Sequence, residues 1–119
     1  MQPGNSLILA SGGYDNTVKF WDLPTGQSLR QLPFADSAVN CLRWTKDGNF
    51  IGAGGNSSVR IFDFNSANAT HAIAFEGHSG NVIALGFDRD ARWCWSASED
   101  SRVRIWDMKT PVKQRYAAW

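Results

Sequence analysis

An all-β fold of repeated, four-stranded antiparallel units is predicted for this 119-residue chain by three features of its sequence. First, Ser11–Asp22, Gly52–Asp63 and Ser96–Asp107 superimpose as copies of one pattern, and their closing aspartates fall 41 and 44 residues apart. Internal periods of about 40 residues mark repeat architectures. Second, Val39, Leu42 and Trp44 ahead of Lys46-Asp47-Gly48 fall on Val82, Leu85 and Phe87 ahead of Arg89-Asp90-Ala91, which fixes the register independently. Third, the pattern alternates with a period of two. Val18 and Phe20 share one face and Lys19 and Trp21 the other, and the alternation recurs at Val59, Ile61 and at Val103, Ile105. A sheet with large apolar groups on both faces must be covered on both faces, and sheets set side by side as the blades of a β-propeller meet that requirement.

The elements follow in order. Blade one spans about residues 6–33, with strands at Leu7–Ala10, Thr17–Trp21 and, after the Thr25-Gly26-Gln27 turn, a more polar one at Ser28–Gln31. Blade two spans about 38–76. Its first strand carries Val39, Leu42 and Trp44, Lys46-Asp47-Gly48-Asn49 turns the chain, and Phe50–Ala53, Val59–Phe62 and His71–Phe75 complete the blade. Blade three spans about 81–118, with strands through Val82–Phe87, Trp93–Ala97, Val103–Trp106 and Lys113–Tyr116. That gives three strands and then four and four, whereas closed propellers use about four to eight blades. The expected architecture is therefore an incomplete propeller, with apolar groups such as Trp93 and Trp95 on an uncovered outer face and a tendency to associate.

Composition excludes several functions. Twelve Lys and Arg against eleven Asp and Glu leave a net charge of +1, so there is no polybasic nucleic-acid arm and no acidic tail. Met1–Ser6 shows no basic region ahead of a long apolar run, and Ser11-Gly12-Gly13 interrupts the short stretch that follows, so neither a signal peptide nor a membrane span is expected. Cys41 and Cys94 fit no ligand spacing and read as reduced thiols of a cytoplasmic protein. No pair among His71, His78, Cys41 and Cys94 has helical ligand spacing, so no metal is expected. Gly12-Gly13 and Gly54-Gly55 lack the Lys-Ser or Lys-Thr of a P-loop and read as turns, and no cofactor is expected. Lys19, Arg60 and Arg104 recur at one blade position, but by parity they share a face with Trp21, Phe62 and Trp106, whose rings their stems would cover. Ser96, His78 and Asp100 are the residue types of an activated nucleophile. The register instead buries Ser96 within a strand between blades, and no G-x-S-x-G elbow is present, so no enzymatic activity is expected.

Trp21-Asp22, Trp106-Asp107 and Gly77-His78 resemble the WD and GH signatures of the WD-repeat family over nearly the whole chain. The resemblance implies a structural hydrogen-bonded chain in each blade, running from the histidine through a turn aspartate and a second-strand serine to the tryptophan. In blade three these are His78, Asp100, Ser96 and Trp106; blade one has Asp15, Ser11 and Trp21 but starts too late to carry its histidine. Blade two has Asn56, Gly52 and Phe62 instead and must rely on packing. The resemblance also implies a protein-binding rim made of the loops leading into each blade and the turns between second and third strands. Here it comprises Tyr14, Asp36, Ser37, Asn40, Asn56, Asn81 and Glu99, with Tyr14 as the aromatic anchor.

Gly13-Tyr14-Asp15, Asp36-Ser37-Ala38-Val39-Asn40, Asp63-Phe64-Asn65-Ser66 and the run from Gly86-Phe87 through Arg92-Trp93 to Glu99-Asp100 narrow the resemblance. They are similar to the first three blades of the G-protein-beta-like WD-repeat subunits of TOR kinase complexes. The implied function is a non-catalytic scaffold that binds a TOR-type kinase domain and supports TOR signalling; a general WD-repeat adaptor with another client is the alternative. Such subunits are expected to have seven blades, which makes this chain an N-terminal fragment or truncated product, or else a unit whose copies self-associate through their open blade ends.

Overall fold

Runs of β-branched and aromatic residues separated by Gly, Asn and Asp turns form three antiparallel sheets in the computed structural model, which describes residues 7–34, 38–64 and 73–108. Blade one contains β1 (Ile8–Gly12), β2 (Thr17–Asp22) and β3 (Ser28–Pro33), in that order across the sheet. Blade two contains β4 (Cys41–Trp44), β5 (Phe50–Gly54), β6 (Ser58–Asp63) and β7 (Ile73–Glu76). Blade three contains β8 (Val82–Phe87), β9 (Trp93–Ser98) and β10 (Val103–Asp107). The fourth strand expected at Lys113–Tyr116, residues 71–72 of the strand expected from His71, and the rim positions Asp36 and Ser37 lie outside the described residues.

The alternation of side chains sorts each strand between two interfaces. Val18 and Phe20 of β2 with Leu32 and Phe34 face blade two, where Val39, Ile51, Ala53 and Phe62 meet them in one buried cluster. Val59 and Ile61, on the opposite face of β6 from Phe62, join Phe75, Val82, Leu85, Cys94 and Trp106 in a second cluster between blades two and three. The core is therefore two slabs between sheets, and blade two is the only described sheet with a neighbour on each side. Arg30 crosses the first slab, its Nη1 donating to the Phe64 carbonyl at 2.7 Å.

Registration across the hairpins corrects one part of the repeat alignment. Gly12 pairs with Val18 and Ala97 with Val103, but Gly54 pairs with Val59, so the central turn of blade two is one residue shorter. Ala53, not Gly52, stands opposite Arg60 as Ser11 stands opposite Lys19 and Ser96 opposite Arg104. Gly52 faces the other way, where a Cβ would come within 3.0 Å of both Leu85 Cδ1 and Phe87 Cζ. It is a close-approach glycine of the second slab, not a serine replacement. The blade-two conclusion is unchanged, because alanine and Phe62 carry no hydrogen-bonding groups to link.

The basic stripe also differs from expectation in detail. The Arg60 guanidinium lies 5.4 Å from the ring centroid of Phe34 in blade one, reaching across the interface rather than ending on Phe62 of its own strand. Lys19 instead pairs with the Asp15 carboxylate at 3.0 Å. On the outer face of blade three, Trp93 and Trp95 are 37% and 40% exposed, and Trp95 lies over Gly86, where a Cβ would come within 2.5 Å of its ring. A bulge between Val82 and Ala84 turns Ile83 outward, 57% exposed.

The turns after β4 and β8 are the same structure built from different residues. Gly48 donates to the Thr45 carbonyl and Ala91 to the Asp88 carbonyl, both at 3.0 Å, and both residues are left-handed, with φ of 75° and 55°. Alanine bears a Cβ penalty there that glycine avoids. Ala91→Gly is expected to stabilise the chain by about 0.5–1 kcal/mol after the added flexibility of the unfolded state is subtracted, measurable as a raised denaturation midpoint at unchanged slope.

Candidate functional site

The lead-in segment of each later blade is bonded to the corresponding turn of the blade before it, β1–β2 in blade one and β5–β6 in blade two. Val39 donates to the Gly13 carbonyl at 3.0 Å and Val82 to the Gly55 carbonyl at 2.8 Å. Asn40 donates from its backbone to Gly54 at 2.7 Å and from its side chain to Gly55 at 3.1 Å. Glu99 donates from its backbone to Asn81 at 2.9 Å. These bonds gather Tyr14, Asn40, Asn56, Asn81 and Glu99 along one rim. Tyr14, at 94% exposure, projects from the β1–β2 turn, while Asn56 and Glu99 are exposed on the corresponding turns. Asn40 differs from the others, since its amide staples blade two to its own turn.

Beneath the rim, blade three brings His78, Asp100, Ser96 and Trp106 into one hydrogen-bonded line. His78 Nδ1 is 3.1 Å from Asp100 Oδ2, His78 Nε2 is 2.7 Å from Ser96 Oγ, and Trp106 Nε1 donates to Ser96 Oγ at 2.9 Å. An ionised carboxylate only accepts, so Nδ1 carries the hydrogen; in a neutral ring Nε2 then accepts from the serine hydroxyl. Trp106 is fully buried and stacks on Phe75, with centroids 4.8 Å apart and ring planes 15° apart. The order of the line opposes nucleophilic chemistry. Ser96 is 0% exposed and His78 5%, and the serine oxygen is already committed on both sides, so no substrate reaches it.

Desolvation pushes the Asp100 pKa up, but the Ser79 amide, His78 and the Arg102 amide together outweigh it and hold the carboxyl down at about 2. The bonds are 2.9 Å from Ser79 and 3.0 Å from Arg102. In blade one Trp21 Nε1 donates to Ser11 Oγ at 2.9 Å, reproducing the inner half of the line. Asp15 does not join it. Its carboxylate instead pairs with Lys19 and accepts from the Thr17 hydroxyl at 2.8 Å, which hold its pKa below the ordinary value.

Blade two places Ala53 and Phe62 in the corresponding positions, both buried. Burial raises both thiols, Cys94 to about 12, which leaves neither as a ready thiolate. Among the described residues no cluster of His, Cys, Asp and Glu could hold a metal ion, and no helix is long and apolar enough to cross a membrane.

Comparison with known proteins accords with this geometry. The family model for the WD domain, G-beta repeat, matches residues 2–22, 26–63 and 70–107. The chain belongs to the WD-repeat family. Among its relatives is the protein named "Protein LST8 homolog" of Dictyostelium discoideum, 42% identical over 109 residues covering 92% of this chain and 36% of that protein. "Target of rapamycin complex subunit wat1" of Schizosaccharomyces pombe is 42% identical over 113 residues, covering 95% of the chain and 36% of the relative. "Target of rapamycin complex subunit LST8" of Saccharomyces cerevisiae is 40% identical over 106 residues, 89% of the chain and 35% of the relative. The chain thus spans about a third of the length of these WD-repeat relatives.

Sequence reasoning missed the Arg60–Phe34 contact and the Arg30 link, because both cross between blades. It also missed a hollow of about 280 Å³ on blade one lined by Ser11, Tyr14, Asp15, Thr17, Lys19 and Trp21.

The Asp100 geometry carries a stability prediction. Asp100→Ala leaves buried His78 and two amides without their acceptor and is expected to cost about 1–3 kcal/mol at pH 7. A carboxyl held below its unfolded pKa contributes stability above that pKa and loses it as pH falls through the folded value. The gap between wild type and variant in denaturant melts should therefore close between about pH 4 and pH 2.

Proposed function

We propose that this chain is a non-catalytic scaffold of the TOR-complex type, acting in the cytoplasm by binding a TOR-type kinase domain through its rim. The observation that carries the reading is the identity of about 40% over most of the chain to proteins named as target of rapamycin complex subunits. Two physical features support it. Tyr14 is a large aromatic held out on a short turn between paired strands, the kind of side chain that anchors protein interfaces. The neighbouring rim positions are amides and a carboxylate suited to a polar surround, and the buried line of blade three fixes the turn that carries Glu99.

The apolar outer face of blade three, with Trp93, Trp95 and Ile83, belongs to the same proposal as a surface that other protein covers. Further blades of a longer propeller are one such covering, and self-association with a second copy through the open blade ends is the other.

The test is capture of a purified TOR kinase domain by the immobilised chain, with light scattering reporting its assembly state. Binding is expected, and Tyr14→Ala should weaken it at least tenfold with no change in melting temperature. Failure to retain the kinase domain by a chain that is folded would favour a WD-repeat adaptor with a different client.

A further inference from the structure

β4 and β8 begin at the rim and end beside a cavity of about 350 Å³ that lies between blades two and three. Blade two contributes Arg43 and Trp44 of β4 and Lys46 of the turn that follows. Blade three contributes Asp88 and Arg89 after β8, and Trp95 of β9. Lys46 and Arg89 hold the same place in the two matching turns, each being the residue after the carbonyl that Gly48 or Ala91 bonds. The cavity therefore has a cation on each of two equivalent turns and a third, Arg43, on the strand leading into one of them.

Arg43, Lys46 and Arg89 are exposed, and among the described residues none of them is paired with a carboxylate. Asp47 spends its carboxylate within its own turn, accepting from the Thr45 hydroxyl at 2.7 Å and the Asn49 amide at 2.9 Å. Asp88 is the only acid among the described residues of the lining. Its Oδ1 accepts from the Trp93 amide at 2.9 Å and the Arg92 amide at 2.8 Å, and these bonds outweigh desolvation and lower its pKa, so it is ionised at pH 7. Three positive charges against one negative leave a local surplus of two, in a chain whose whole net charge is +1. A phosphate monoester carries about −1.5 to −2 at pH 7 and matches that surplus.

The rest of the lining suits a flat ring. Trp95 is 40% exposed and backs onto Gly86, where a Cβ would come within 2.5 Å of its ring. Trp44 is held by Phe64 and Phe20, with ring centroids 5.4 Å and 5.7 Å away. These contacts set the rings in place ahead of binding, which lowers the entropy lost when a ligand is ordered. We propose that this cavity binds a nucleoside monophosphate. Arg43, Lys46 and Arg89 would hold the phosphate, the base would lie against Trp95 and Trp44, and a ribose hydroxyl would donate to the spare acceptor capacity of Asp88. A bare anion leaves the aromatic wall unused, and an uncharged ring leaves the surplus charge unmet. A nucleic-acid strand would need a longer basic track than a chain of net charge +1 offers.

The probe is adenosine monophosphate, titrated into the intact chain and followed by tryptophan fluorescence and two-dimensional NMR. It is expected to shift the indole N–H signals of Trp44 and Trp95 and to leave those of Trp21 and Trp106 in place. Adenosine and inorganic phosphate, tested separately, should each bind about tenfold more weakly or worse. Arg43→Gln combined with Arg89→Gln should weaken the nucleotide about tenfold at unchanged melting temperature, with the affinity for adenosine unaltered. The comparison of the three ligands uses the unaltered chain, so it does not depend on the folding of a variant. No binding of the nucleotide, an affinity no better than that of inorganic phosphate, or indifference to the two arginines would overturn the proposal. So would equal binding of a phosphotyrosine peptide, which would assign the cavity to a phosphorylated protein instead.

Discussion

Every sheet of this molecule carries large apolar side chains on both faces, and the need to cover both at once is the constraint from which the rest follows. A single four-stranded sheet buries neither face. Setting the sheets side by side lets Val18 and Phe20 of one blade be covered by Ile51 and Phe62 of the next, and Val59 and Ile61 by Leu85 and Trp106. Stability is thereby located between blades rather than within them, as in other repeat proteins whose units contact only their neighbours. The glycines at positions 52 and 54 serve the same end. A Cβ at Gly54 would come within 2.6 Å of Cys41 Sγ and 2.7 Å of Val82 Cγ1, so bare backbone is what allows blade three to close up.

Buried hydrogen bonds add to this packing unequally across the blades. Blade three has the full line from Asp100 to Trp106, blade one has only its Ser11–Trp21 end, and blade two has hydrocarbon in both places. Blade two is covered on both faces by described neighbours and can hold its turn through packing. The lines lie directly under the turns that bear the exposed rim residues, so the same interactions that secure a blade also hold those turns still.

The repeat period, the strand alternation and the turn residues were legible in the sequence because each is local and recurs three times. The hydrogen-bonded line of blade three was legible only through family resemblance, since nothing in the spacing of His78, Ser96, Asp100 and Trp106 distinguishes a structural chain from a catalytic one without burial. The register of blade two was misread by one residue because an ungapped alignment cannot register a shortened turn, and the glycines around it look alike. Contacts from Arg60 to Phe34 and from Arg30 to Phe64 were not legible, as they depend on how far a long side chain reaches into the adjoining blade.

The claim on which the account rests is that neighbouring blades stabilise one another across their slabs. Residue-resolved hydrogen exchange on Phe62→Ala tests it most directly, because Phe62 belongs to β6 but packs with Val18, Phe20 and Leu32 of blade one. The account predicts a loss of about 3–5 kcal/mol that appears in the amides of β2 and β3 as well as those of β5 and β6. Loss confined to blade two, with blade one protected as before, would contradict it.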